Sequence, residues 1–248
     1  MGRDILLLDI GNTKIKLSTL RKNVLFKLPP FKETEQILKY INVSNPKTIY
    51  ISSVVPATSE LIVSEFGEKM EIHSIGINSK FGFEIKYKSP ETIGIDRLCG
   101  IEGALFYSNE NDRDISGRHI ITIDFGTATT INILNEKKVF TGGVIAPGLT
   151  TMISSLSRGT AQLPEITEEA LITEPGYDTV TSIGSGVMNS QIGLVERVLR
   201  NIPGFDMKKG LIFATGGNFK PLKGHLTVMH TYIPDLVLMG VASISLKN

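Results

Sequence analysis

Apolar residues in this chain fall into short runs that end at turn-forming residues. Ile5 to Asp9 is a continuous apolar run closed by an aspartate, within a start that carries Arg3 and Asp4, and Gly11-Asn12 breaks the chain just after it. Ile15, Leu17 and Thr19 then alternate with polar neighbours up to a second break near Arg21 to Asn23. An unbroken run, a glycine turn and a period-two segment together predict a buried strand, a tight turn and a returning strand. Val24 to Leu28 supplies a third strand and Thr48 to Val55 another, closed by Pro56. The first half therefore opens as an antiparallel meander and continues into α/β alternation. Ala57 to Phe66 reads as a surface helix with Leu61, Ile62 and Phe66 on one side. Asp96 to Phe106 reads as a second helix, with Leu98, Ile101, Leu105 and Phe106 behind an acidic start that suits a helix N-terminus.

After the polar stretch Asn109 to Arg118 the opening pattern starts again. His119 to Asp124 is an apolar run ended by Gly126, and Thr129 to Leu134 returns with β-branched residues. The chain thus holds two copies of one unit, a strand ending in Asp, a glycine turn and a returning strand, at Asp9-Ile-Gly-Asn-Thr and Asp124-Phe-Gly-Thr-Ala. Two copies suggest two related α/β lobes, divided near Asn109 to Gly117, with residues 1–112 in the first and 113–248 in the second. In the second lobe, Thr141-Gly-Gly-Val-Ile-Ala-Pro-Gly-Leu reads as a turn into a helix at Leu149 to Leu156. Ile183 to Leu199 has helical spacing and stops at Pro203-Gly204, Gly210 to Ala214 reads as a buried strand, and Leu236 to Leu246 as a last helix.

Composition narrows the class. With 41% hydrophobic residues and a mean hydropathy of +0.09, the chain can build a core, which excludes a disordered protein. Lys and Arg number 26 against 25 Asp and Glu, so no overall field draws it to nucleic acid or to an acidic membrane surface. An anionic ligand must be held by local geometry. The N-terminal apolar run is interrupted by Asp9 and is too short for a signal sequence or a membrane span. A single cysteine, Cys99, cannot form an internal disulfide, which fits a cytoplasmic protein, and its apolar helical setting reads as a buried thiol. His73, His119, His225 and His230 lack metal-ligand spacing.

A strand that ends in Asp and turns through Gly places a carboxylate at the sheet edge beside outward-pointing amides. Amides of this kind cradle phosphate oxygens, the carboxylate holds a neutralising cation, and the glycine lets phosphate approach the backbone. One Asp-x-Gly turn is ordinary hairpin chemistry. Two at corresponding places would grip a polyphosphate from both sides, the arrangement of the acetate kinase, sugar kinase, Hsp70 and actin superfamily. The chain has no Gly-x-x-x-x-Gly-Lys-Ser/Thr and no Gly-x-Gly-x-x-Gly after a strand, so P-loop and Rossmann readings lose their main support.

Six strings follow one another in order: Asp9-Ile-Gly-Asn-Thr-Lys-Ile-Lys16, Gly94-Ile-Asp-Arg97, Asp124-Phe-Gly-Thr-Ala-Thr-Thr130, Gly142-Gly-Val-Ile-Ala-Pro-Gly-Leu149, Leu163-Pro164 and Ala214-Thr-Gly-Gly217. In this order, across essentially the whole chain, they resemble the type III pantothenate kinases. The resemblance implies an α/β fold with two related lobes of the actin-like ATPase (ribonuclease H-like) type and a cleft between them. It implies a first phosphate loop from Asp9 through Ile10, Gly11, Asn12, Thr13, Lys14 and Ile15 to Lys16, and an ATP contact at Thr127. It implies a pantothenate-binding segment of Gly94, Ile95, Asp96 and Arg97, with Asp96 as the proton acceptor. Tyr87, in a Tyr-x-x-Pro pattern, and Thr179 match further substrate contacts, and Asp124 matches a monovalent-cation ligand. Gly216-Gly217 is either a tight strand-to-helix turn or, by the resemblance, an adenosine-side contact.

The activity so implied is transfer of the terminal phosphoryl group of ATP to the primary hydroxyl of pantothenate, the first step of coenzyme A biosynthesis. Magnesium would travel with ATP, assisted by Asp9, and potassium or ammonium would serve as the monovalent cation. The family also implies a homodimer. Two other readings stay open at this point: a nucleotide-binding regulator of the same fold with little kinase activity, and a kinase for another small hydroxy acid.

Overall fold

The computed structural model describes residues 5–22 and 24–247. Arg3 and Asp4 of the expected N-terminal start, and Asn23 of the second break, lie outside the described residues. The chain clusters into two compact units: Met1–Asp114 with Lys138–Phe140 and Asp235–Asn248, and Ile115–Lys137 with Thr141–Pro234.

The first unit begins with β1 (Ile5–Ile10), β2 (Ile15–Arg21) and β3 (Val24–Phe31), followed by α1 (Thr34–Ser44), β4 (Thr48–Ser53), α2 (Pro56–Phe66), β5 (Glu71–Ser74), β6 (Glu84–Ile85) and α3 (Ile95–Glu110). Its sheet has the order β3-β2-β1-β4-β5, antiparallel along the meander and parallel where β4 joins β1 and β5 joins β4. Leu6, Leu8 and Ile10 pack on one face with Ile37 and Ile41 of α1 and Ile62 and Phe66 of α2. Leu7 packs on the other face with Cys99 of α3. Both faces of β1 are covered, so its sequence is continuously apolar instead of alternating. Pro56 does not merely end a strand: it occupies the first turn of α2, where its missing N–H is not needed. Helix α1 has no counterpart among the sequence expectations. Its only buried residues are Ile37 and Ile41, too narrow a stripe to read, and its start is fixed by the Gln36 side chain accepting from the Glu33 N–H.

In the second unit β7 (Ile120–Phe125) and β8 (Ala128–Leu134) form the repeated hairpin. They lead to β9 (Val139–Pro147), α4 (Leu149–Gly159), α5 (Thr179–Asn201), β10 (Leu211–Thr215), α6 (Phe219–Leu222) and β11 (Thr231–Tyr232). The order β9-β8-β7-β10-β11 repeats that of the first sheet, strand for strand. Ile121, Ile123 and Phe125 pack with Leu149 and Ile153 of α4 and with Ile183, Val187, Val195 and Leu199 of α5.

Two expectations are corrected here. The stretch from Thr141 to Pro147 is a strand, not a turn. Gly142 has φ +112°, and a Cβ on Gly143 would lie 1.8 Å from the Ile131 carbonyl oxygen, so these glycines let β9 run close against β8. The second correction concerns the last helix, α7 (Leu236–Ser245), placed by sequence order in the second lobe but packed within the first unit. Its backbone meets that of α3 directly: a Cβ on Gly240 would lie 1.9 Å from the Cys99 carbonyl oxygen. Buried Glu102 of α3 fastens the contact, accepting from the Ser243 hydroxyl, the Lys247 ammonium and the Gly82 N–H. The residues 138–140 also return to the first unit, where Val139 and Phe140 pair in parallel with β6.

Candidate active site

In the first unit, the β1–β2 turn is closed by the Gly11 N–H donating to the Lys14 carbonyl at 3.1 Å. Asp9 pairs in register with Lys16, and Ile10 with Ile15. The two isoleucine side chains are core residues, so they offer a ligand only backbone. Asn12, Thr13 and Lys14 are exposed at the tip, whereas Asp9 is only 8% exposed. A mostly buried carboxylate behind a solvent-facing amide turn is the arrangement expected of an anion cradle with a cation behind it.

Also in the first unit, α3 starts at the expected substrate segment. Gly94 is its N-cap, Ile95 its first residue, and Asp96 lies in the first turn, where a negative charge is favoured. The Arg97 N–H donates to Asp96 Oδ1 at 2.8 Å. Burial raises the Asp96 carboxyl above the ordinary aspartate range, while that hydrogen bond and the charges of Arg97 and Lys16 pull it back only in part. A Cβ on Gly94 would lie 2.6 Å from Asp96 Oδ1, so glycine there leaves room for the carboxylate. Arg97 is 7% exposed, and its guanidinium carbon lies 5.7 Å from the ring centroid of Phe140. The Tyr87 ring stands 6.2 Å from the same ring. Phe140 thus gathers two expected substrate contacts, and nothing in its local sequence points to that role.

In the second unit, Asp124 is the penultimate residue of β7, in register with Thr215, and the Gly126 N–H closes the turn on the Ala128 carbonyl at 3.1 Å. Gly216 has φ +99°, and a Cβ there would lie 2.4 Å from Asp124 Oδ1. The glycine pair therefore abuts the second Asp turn. Asn218, absent from the sequence expectations, joins them: its backbone N–H donates to the Phe125 carbonyl at 2.8 Å and its side-chain amide to the Gly126 carbonyl at 2.9 Å. The Thr127 carbonyl accepts from the Thr151 hydroxyl at 2.6 Å and the Gly148 N–H at 2.9 Å, while the Thr127 side chain stays exposed. Thr179 is the exposed first residue of α5, which starts four residues earlier than its periodicity predicts because Asp178 caps it, accepting from the Thr181 N–H at 2.8 Å. Among the described residues no three His, Cys, Asp or Glu side chains cluster as metal ligands.

The family model of type III pantothenate kinases matches residues 5–201. The chain belongs to the type III pantothenate kinase family. These kinases phosphorylate pantothenate in coenzyme A biosynthesis. The chain is 33% identical over 264 residues to the type III pantothenate kinase of Legionella pneumophila strain Corby, covering 98% of this chain and 99% of that one. It is 30% identical over 253 residues to the type III pantothenate kinase of a Sulfurihydrogenibium species, covering 96% and 97%. Among solved structures, an archaeal actin homologue superposes with a TM-score of 0.56 at 12% identity over the whole of both chains. A ROK family protein from Streptococcus pneumoniae gives 0.52 at 12% identity, covering 98% of each. At such identities the likeness concerns the fold, which for this type III pantothenate kinase is the actin-like ATPase type with two related α/β units. No helix among its described residues is long and apolar enough to cross a membrane.

Proposed function

We propose that this type III pantothenate kinase uses Asp96 as the general base toward the pantothenate hydroxyl. The observation that supports this reading is the Asp96 carboxylate itself, raised by burial and held by the Arg97 N–H on Oδ1 at the start of α3. A base whose pKa moves up toward the working pH accepts a proton more readily, and such a base contributes roughly a hundred- to ten-thousand-fold. The hydroxyl proton passes to Asp96 as the oxygen bonds to the γ-phosphorus, and ADP leaves. Tyr87, Gly94, Ile95, Arg97 and Thr179 are read as substrate contacts, with buried Arg97 on Phe140 presenting a fixed positive charge for the pantothenate carboxylate or amide.

Asp9 to Lys16 is read as a phosphate loop in the first unit; Thr127 and Gly216-Gly217 are read as ATP contacts in the second. The chemistry of the donors fits magnesium brought by ATP: one carboxylate, Asp9, beside phosphate and water oxygens, rather than an all-protein cage. Magnesium so held supplies charge neutralisation on the β and γ oxygens, while positioning does most of the remaining work. Asp124 is read as the ligand of potassium or ammonium, supported by its place beside the Gly126 turn, the counterpart of Asp9 in the first hairpin. The exposed Tyr177 and Val180 at the start of α5 support a homodimer, and the buried lone thiol of Cys99 supports a cytoplasmic setting.

The test is ADP release with pantothenate, set against a panel of sugars and small hydroxy acids, for the protein and its Asp96→Asn variant. Turnover of pantothenate that collapses in the variant, with the fold retained, supports the reading. Equal turnover by the variant overturns the role of Asp96.

A further inference from the structure

The adenosine-side reading of Gly216-Gly217 leaves unanswered what the base of the nucleotide would rest on. Beside the glycine pair the second unit holds an aromatic stack that the sequence analysis did not single out. The Tyr232 ring lies on the Phe219 ring with centroids 4.3 Å apart and planes 10° apart. Phe219 is buried and follows the glycine turn directly, whereas Tyr232 is 42% exposed. One face of Tyr232 is therefore backed by a core residue and the other is open to solvent. His230 meets the edge of Phe219 at 5.3 Å, and the Tyr232 hydroxyl donates to the Gly216 carbonyl at 3.4 Å. The exposed ring is thus held at both ends, by a core aromatic and by the backbone of the glycine turn. A Cβ on Gly217 would meet nothing within 4 Å, so the chain leaves open room beside the turn.

We propose that Tyr232 is the stacking platform for the purine base of the nucleotide. A planar base resting on the open face of Tyr232 would extend a stack already begun by Phe219, at little ordering cost because the ring is held in advance. The ring's one polar atom, its hydroxyl, is committed to the Gly216 carbonyl, so the ring offers a purine its flat π-surface and tells adenine from guanine poorly. The proposal rests on the adenosine-side reading of Gly216-Gly217 and adds a residue to it.

Steady-state kinetics of the full-length protein test it. Tyr232→Ala is expected to raise KM for ATP roughly five- to tenfold, the lower range for stacking one base on an aromatic side chain. KM for pantothenate and kcat at saturating ATP should stay within about twofold, and the thermal midpoint should confirm folding. Tyr232→Phe and Tyr232→Trp, which keep a ring, should recover most of the loss. Inorganic tripolyphosphate, which has phosphates but no base, should inhibit the Ala variant and the parent protein alike. Gly217→Val separates the two readings, since its Cβ meets no protein atom within 4 Å. If Gly217→Val raises KM for ATP and Tyr232→Ala does not, the platform is wrong and the adenosine-side reading stands. If neither variant changes KM for ATP, both are wrong. Weaker inhibition of the Ala variant by tripolyphosphate would also overturn the platform, because the ring would then be shaping the phosphate contacts.

Discussion

The Asp96 carboxylate fills the space that a side chain on Gly94 would need: a Cβ at residue 94 would stand 2.6 Å from Asp96 Oδ1. The backbone of Gly94, at φ −58° and ψ 124°, lies in a region open to any residue, so the requirement for glycine comes from this neighbour and not from the chain's conformation. Gly94→Ala should therefore fold normally and push the carboxylate aside. We expect kcat for pantothenate to fall about ten- to a hundredfold, in line with the sensitivity of catalysis to a displacement of about an ångström. A thermal midpoint within a few degrees of the parent, measured beside the rate, separates misplacement from unfolding; an unchanged rate would mean that Asp96 tolerates the shift.

The raised pKa of Asp96 gives a pH dependence whose sign is fixed. A carboxyl whose folded pKa lies above its unfolded value contributes its full stability below the unfolded pKa and loses it as the pH rises through the folded one. Asp96→Asn, which carries no charge to desolvate, should therefore be at least as stable as the parent near neutral pH, with the difference shrinking as the pH falls from the raised folded pKa to the ordinary aspartate value and gone below it. Activity runs the opposite way, because the base must be ionised: kcat should decline with acid at a pH above the ordinary carboxylate range. Thermal melts across pH and a pH–rate profile check both. A variant less stable than the parent at neutral pH would indicate that the charge is held for the fold.

Phe140 supports Arg97 through its ring face, a contact worth roughly 0.5–2 kcal/mol according to how far the cation is desolvated. Phe140→Leu keeps an apolar side chain but removes the aromatic face. KM for pantothenate should rise several-fold while KM for ATP holds, and Phe140→Tyr should recover most of the affinity. Equal changes in both KM values would point instead to a general loosening of the unit.

Rates should depend on potassium or ammonium in addition to magnesium, with sodium and lithium poor substitutes, if Asp124 holds a large monovalent ion beside Gly216. ADP release in chloride salts of the four cations at equal ionic strength keeps general screening constant. Asp124→Ala should raise the potassium needed for half-maximal rate or abolish the response, whereas Asp96→Asn should lower the rate at every potassium level. Identical rates in all four salts would remove the cation from the site without touching the kinase assignment.

The sequence by itself determined the two Asp-x-Gly hairpins, the meander that opens the first unit, the start of α3 at the Gly94 to Arg97 segment, and the family. These rest on short-range chemistry: a glycine that turns the chain, an aspartate that ends a strand, an acidic residue at a helix start. Strand order β3-β2-β1-β4-β5, repeated as β9-β8-β7-β10-β11, was legible only as the likeness of the two hairpins. The tertiary structure alone decided the rest. Helix α7 joins the first unit because Gly103 and Gly240 admit backbone contact between two helices far apart in sequence, and no periodicity reports that. Residues 141–147 became a strand because Gly143 sits against Ile131, which outweighed the turn tendency of a Gly-Gly pair. Phe140 reached Arg97, and Asn218 reached Gly126, through sheet pairing and packing that act between residues distant in the chain, where local residue type carries no information about the partner.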